Sequence, residues 1–355
     1  MIEEIYLELH GLLQQALWGI PFEGEVTPKE AGELIDLAEK QAVSGLIIDA
    51  LIKNDVRMEQ MKLFEAIGYL EQIKQENQRI NHEIAEFARL MSDTYTEYVV
   101  VKGQTIAALY PEPLVRMSGD IDFLIHDYQH TSKVLKEHWG VELPRRMIEK
   151  ELSFTHGDAL YELHTYLVDF GSNKHKRYWE RLLDESKPAT IEIGGEEVRV
   201  IEPTLYTVYI FMHLFFHFVK EGIGLRHLCD WALMMHHYAE EIDKERLMEV
   251  LQNVGLLKAF LTFGTILVDK LGLKDFPLAL SEKDRKMQSR ILKDIMQSGN
   301  FGRGKRNTQK AGVLYKLETM LFVMSNSMRY FSLAPKELML IPHRRLVVNL
   351  KLLIK

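Results

Sequence analysis

The chain has 355 residues, 46% of them hydrophobic and 27% charged, with one cysteine and a formal net charge of −7. This is the composition of a globular protein with room for two or three domains and a sizeable core, and it excludes a disulfide-held scaffold because Cys229 has no second cysteine to pair with. No apolar run approaches the roughly 20 residues a spanning helix needs, and the start MIEEIYLELHGLL has no basic segment before its apolar residues, so a cytoplasmic protein without a secretory signal is expected.

Residues 1–95 read as a helical region. Within it Met61, Phe64, Ile67, Leu70 and Ile73, then Ile80, Ile84, Phe87 and Met91, recur at helical spacing. They predict one long amphipathic helix, or two joined at the polar stretch KQENQR. A small α/β core is expected over 96–202. It opens with a buried strand, Tyr98 to Val101, that runs into Lys102 and Gly103. QTIAALY has the spacing of a brief helix closed by Pro111 and Pro113. A strand follows at Ile121 to Ile125, and then a helix at HTSKVLKEHW. Two hairpins come next, one turning at Gly157-Asp158 and one at Gly194-Gly195.

From Pro203 to about residue 300 the apolar spacing is helical again, and 301–355 forms a basic helical segment. The expected fold class is therefore α+β: a small mixed sheet flanked by N- and C-terminal helical regions. Residues 303–355 hold eleven Lys or Arg against two Asp or Glu. Such a basic tail on an acidic body suits an anionic partner, whether phosphate, nucleic acid or lipid headgroups, or else a set of solvated helix faces. Its end, ELMLIPHRRLVVNLKLLIK, carries Arg344, Arg345, Lys351 and Lys355. That pattern fits peripheral contact with anionic lipid or a docking helix whose charges face water.

The stretch RMSGDIDFLIHD places two aspartates at the head of a strand, where aspartate is normally depleted. Alternate residues of a strand share a face, so Asp120 and Asp122 project together while Ile121, Phe123 and Ile125 point into the core. Two unpaired like charges repel, and a hard divalent cation, Mg²⁺ or Mn²⁺, removes the conflict. Gly119 leaves the backbone open to a bulky ligand. Lys102 and Gly103, between a strand and a helix, leave an ammonium and backbone N–H groups for phosphate. In ALYELHTYL, Glu162 and His164 share a strand face and offer a third carboxylate with a neighbouring imidazole.

Together, VVVKGQTIAALYPEPLVRMSGDIDFLI, YELHTYL, MHLFFH and LRHLCDWALMM resemble the uncharacterised nucleotidyltransferase family of the DNA polymerase beta-like superfamily, from about residue 60 to about residue 240. The resemblance implies transfer of a nucleotidyl group from a nucleoside triphosphate (NTP) to an acceptor hydroxyl or phosphate. Asp120 and Asp122 would hold Mg²⁺, and Glu162 would stand where the third carboxylate activates the acceptor. Gly103 and Gly119, with Lys102, Arg116, Ser118 and His164, would line the triphosphate. An alternative is a protein of this fold that binds nucleotide without turnover, with a link to envelope polysaccharide assembly. The superfamily usually has Gly-Ser or Gly-Gly where this chain has Gly103-Gln104, which leaves Thr105 or Ser118 as the nearest hydroxyl. The absence of a large basic surface in the catalytic half argues against long nucleic acid and for a small-molecule, sugar or protein acceptor.

Two further features are ambiguous. His213 and His217 sit four apart, as in a zinc pair, but their apolar surroundings and the lack of an evident third ligand favour packing. Asp230, a lone acid in an apolar helix, is expected to pair with Arg226 or a histidine.

Overall fold

The computed structural model describes residues 2–147, 150–302 and 313–353. Among them, four helices precede the sheet: α1 (Ile2–Trp18), α2 (Pro28–Lys40), α3 (Ser44–Lys53) and α4 (Gln60–Asp93). In α2, Thr27 and Glu30 form a reciprocal capping box that satisfies the orphan backbone donors of the first turn. α4 runs unbroken through KQENQR for 34 residues. Its apolar stripe is longer than its packing, however. Leu70 through Met91 is buried as the spacing predicts, whereas Met61 and Phe64 are 70% and 63% exposed and Ile67 is also exposed. The first two turns project past the core.

The sheet has the order β1-β2-β4-β3. β1 (Tyr98–Val101) pairs antiparallel with β2 (Ile121–Ile125), β2 pairs parallel with β4 (Ala159–His164), and β3 (Glu151–His156) pairs antiparallel with β4. A one-turn helix α5 (Gln104–Ala107) links β1 towards β2, and α6 (Tyr128–Trp139) begins the crossover from β2. After α7 (Asn173–Glu185) comes a separate hairpin, β5 (Ala189–Ile193) and β6 (Glu196–Val200). Its turn has φ of 61° at Gly194 and 84° at Gly195, the paired positive φ that a two-residue primed turn requires. A Cβ at Gly194 would also lie 2.8 Å from the Asn81 carbonyl on α4. Both hairpins lie where the Gly157-Asp158 and Gly194-Gly195 pairs predict them.

The pleat sends each strand's residues into two different cores. On one face Tyr98, Val100, Ile121, Phe123, Tyr161 and Leu163 pack against α4 and α6. Phe87 sits at the centre, with ring centroids 4.5 Å from Phe123 and 5.3 Å from Tyr98. On the other face Val99, Val101 and Leu124 join a larger core. That core is built by α1–α3 together with α8 (Pro203–Lys220), α9 (Leu225–His237), α10 (Lys244–Asn253) and α11 (Leu257–Asp269). Helices from both sides of the sheet in sequence thus share one apolar interior. The same face carries the strand carboxylates, so the cleft lies between the sheet and α8–α9. The fold is the expected α+β arrangement.

The chain ends with α12 (Glu282–Arg285), α13 (Gln288–Ser298), α14 (Val313–Arg329) and α15 (Pro335–Leu353). Glu337 anchors α15: fully buried, it accepts from the Gly171 and Ser172 backbone N–H groups and lies 2.6 Å from His175 Nδ1. Of the basic tail, Arg344 bonds the Phe170 carbonyl and Asn173. Residues 303–312 and 354–355 lie outside the described residues, as do the side chains of Arg345 and Lys351. Among the described residues no helix is long and apolar enough to cross a membrane.

Phe87→Ala empties the centre of the sheet–α4 core. Loss of a buried phenylalanine costs about 3–5 kcal/mol, and urea unfolding should show it as a lower midpoint with an unchanged slope.

Candidate active site

The site begins with an unusual turn. Lys102 has φ of 62°, and Gly103 follows with φ of 52° and ψ of −123°. Positive φ at a non-glycine residue costs on the order of 1–3 kcal/mol, and the Gly103 geometry is one that glycine alone adopts freely. The turn is held by two contacts. The Lys102 backbone N–H donates to the Tyr206 hydroxyl at 3.0 Å, and the Thr105 hydroxyl donates to the Lys102 carbonyl at 2.6 Å. Its effect is to fold the Lys102 side chain back over the strand end, so that Nζ lies 2.7 Å from Asp122 Oδ1.

Asp122 is 3% exposed on the central strand β2. The same Oδ1 receives His164 Nε2 at 2.8 Å from β4. Burial disfavours the Asp122 carboxylate, but the Lys102 ammonium and the His164 hydrogen bond outweigh it and hold its pKa well down. For Lys102, desolvation is likewise outweighed by Asp122, and the ammonium pKa is raised. His164 is buried and its pKa lowered by desolvation, so the imidazole is neutral and donates one N–H to the carboxylate.

Glu162 is directly cross-strand from Asp122 in the parallel β2–β4 register. Desolvation first, then repulsion from Asp122, Asp120 and Glu151, pushes its pKa up to about 7. Asp122, Glu162 and His164 each offer a ligand atom, and those atoms lie within 4.8 Å of one another. Asp120, at the strand head, is partly exposed on the wall of the same cleft, a cavity of about 800 Å³. Beside it a Cβ on Gly119 would meet nothing within 4 Å. Two carboxylates and an imidazole this close together, beside an open cleft with Asp120 on its wall, fit a divalent ion.

The other residues singled out in the sequence divide into open and committed groups. Gly103, Gly119 and Ser118 line the cleft, but Ser118 Oγ already bonds Asn77 and Gln104. Thr105 is spent on the Lys102 carbonyl and Tyr206. Gln104 itself is buried, donating to Asn77 and Asn81 at 3.1 and 2.7 Å, so it braces α5 against α4. Arg116 also borders the cleft, yet its guanidinium is paired with Asp230, Nε to Oδ1 at 2.7 Å and Nη2 to Oδ2 at 2.8 Å. Tyr110 donates to the same carboxylate at 2.7 Å. The partner of Asp230 is therefore Arg116, not Arg226 or a histidine. The reason is geometric, since the two planar groups meet in a two-pronged fit that holds α9 to the approach to β2.

This pairing brings forward a residue that sequence reasoning passed over. Arg226, at the start of α9, donates from Nη1 to the Met117 carbonyl at 3.0 Å, while its buried Nε has no hydrogen-bond partner. It lines the cleft beside Arg116. The only sequence signal was its place in LRHLCDWALMM, where it read as a partner for Asp230.

The raised Glu162 pKa makes stability depend on pH. A carboxyl whose folded pKa lies above its unfolded value is unpenalised below about pH 4.5 and loses stability as pH rises through about 7. Glu162→Gln should therefore be stabilising by roughly 1–3 kcal/mol at pH 8 and nearly neutral at pH 4.5. Urea unfolding at the two pH values measures the difference.

The model of the uncharacterised nucleotidyltransferase family matches residues 27–271. Among solved structures, an antigenic nucleotidyltransferase-like protein from Paracoccidioides brasiliensis is similar at 13% identity, over 57% of this chain and 94% of that chain, with a TM-score of 0.32. No curated protein matches the chain. With the family match spanning the strand carboxylates, the Lys102-Gly103 turn and α8–α9, the chain belongs to the uncharacterised nucleotidyltransferase family.

Proposed function

We propose that the protein transfers a nucleotidyl group from a nucleoside triphosphate to a small-molecule, sugar or protein acceptor. The observation that carries this reading is the cross-strand pair Asp122 and Glu162 with Asp120 at the strand head, three carboxylates on one wall of one cleft. Asp120, Asp122 and Glu162 would hold Mg²⁺ or Mn²⁺, which when bound offsets the charge of the triphosphate and of the departing pyrophosphate.

The chain's own groups supply the rest. Asp122 is fixed in direction by Lys102 and His164, which both meet Oδ1 and leave Oδ2 without either contact. Arg226, on the cleft wall beside Arg116, is the guanidinium placed to meet phosphate oxygen. Glu162, half-buried across from Asp122, is the carboxylate that accepts the proton of the acceptor hydroxyl. The acceptor oxygen bonds to the α-phosphorus as the α–β bridging oxygen bond breaks, and pyrophosphate leaves with that electron pair.

A second reading is a protein that binds nucleotide without turning it over. It is favoured by the Lys102 ammonium, which already neutralises Asp122, and by the internal bonding of Thr105 and Ser118.

Calorimetry with each of the four ribonucleoside triphosphates, with and without Mg²⁺ or Mn²⁺, tests the reading. Metal-dependent binding is expected, with Asp120→Asn and Arg226→Gln each weakening it by roughly tenfold or more. Binding that is followed by pyrophosphate release on adding an acceptor supports transfer; binding without release from any acceptor supports the second reading. Folded wild type that binds no triphosphate with either metal contradicts both.

A further inference from the structure

α8 and α9 bring together three histidines whose grouping the carboxylate chemistry does not explain. His213 and His217 lie one turn apart on α8, and α9 adds His227, the third ligand that the sequence alone does not reveal. Their ring centroids are 4.3 Å apart for His213 and His217, 5.8 Å for His213 and His227, and 6.3 Å for His217 and His227. Imidazoles around a shared zinc-sized ion at about 2.0–2.1 Å have centroids about 5 Å apart. All three line the cleft.

Two further details point to a ligand. His227 is buried; the Gly224 backbone acts on its ring, but Nδ1 makes no hydrogen bond of ordinary geometry, and an under-satisfied buried nitrogen carries a cost that a Lewis acid would remove. His217 Nδ1 lies 3.2 Å from Glu221 Oε2, which leaves Nε2 as its outward nitrogen. A ring held from behind by a carboxylate is how metal-ligating histidines are commonly oriented.

We propose that His213, His217 and His227 form a second cation site, for a borderline transition metal of the zinc class, with Glu221 orienting His217. The three rings are fanned in the structure. Drawing their nitrogens onto one ion takes rotation about side-chain torsions. Nitrogen donors distinguish the site from the oxygen-rich carboxylate cluster, which suits Mg²⁺ or Mn²⁺. The inference does not depend on nucleotidyl transfer.

The test is Co²⁺ titration of the full-length, chelator-stripped protein, followed by visible absorption. One equivalent should give the intense bands of a low-coordinate nitrogen site. These should persist in Asp122→Asn/Glu162→Gln and vanish in His213→Gln/His227→Gln. Because His227 is buried, His217→Gln on the cleft wall serves as a second variant and should also lose the bands. Glu221→Gln should weaken Zn²⁺ competition by about tenfold. Folded wild type without the bands overturns the proposal, as do bands that survive the histidine substitutions or disappear with the carboxylate ones.

Discussion

The site depends on one buried charge, the Asp122 carboxylate on the central strand. A carboxylate almost fully removed from water is tenable only with compensation close at hand, and here it comes from both neighbouring strands. Lys102 reaches it from the end of β1 and His164 from β4. The left-handed turn at Lys102 and Gly103 is the geometric condition for the first contact, and the parallel β2–β4 register is the condition for the second. That compensation holds Asp122 ionised but does not extend to its neighbour. Glu162, across from Asp122 in the next strand, has its proton affinity raised first by its own burial and then by repulsion from Asp122, Asp120 and Glu151. A cluster of carboxylates with too little positive charge, facing open space, is suited to receive a cation together with a polyphosphate.

A second buried pair sets the opposite wall. Arg116, Asp230 and Tyr110 share hydrogen bonds deep in the helical body and tie the segment before β2 to α9. That link spans 114 residues and determines which arginine is available. Arg116 is consumed by Asp230, and Arg226, four residues before that aspartate, lines the cleft with Nη1 given to the Met117 carbonyl. The sheet supplies the acids together with Lys102 and His164, and the helices add Arg226 and further histidines, so the chemistry belongs to the interface between sheet and helices.

Features with a short period were legible in the sequence. The strand at Ile121–Ile125, the turn pairs Gly157-Asp158 and Gly194-Gly195 of the two hairpins and the 3.6-residue spacing of α4 all act within a few residues, and each appears where it was expected. Long-range pairing was not legible. Nothing local distinguishes Arg116 from Arg226, and choosing between them requires knowing where Asp230 sits. The third histidine was hidden for the same reason, since His227 lies on a different helix from His213 and His217. The exposed start of α4 shows the converse: periodicity reports that a face is apolar, not that anything covers it.

The central claim, that the carboxylates are short of positive charge and a metal completes them, is tested most directly by titrating ¹³C-carboxyl-labelled Glu162 by NMR with and without Mg²⁺ and a triphosphate. The account predicts an apparent pKa near 7 in the free protein, falling towards the ordinary carboxylate range when both ligands are added. A Glu162 that is ionised at pH 5 without metal, or one whose titration does not respond to metal and triphosphate, would contradict it.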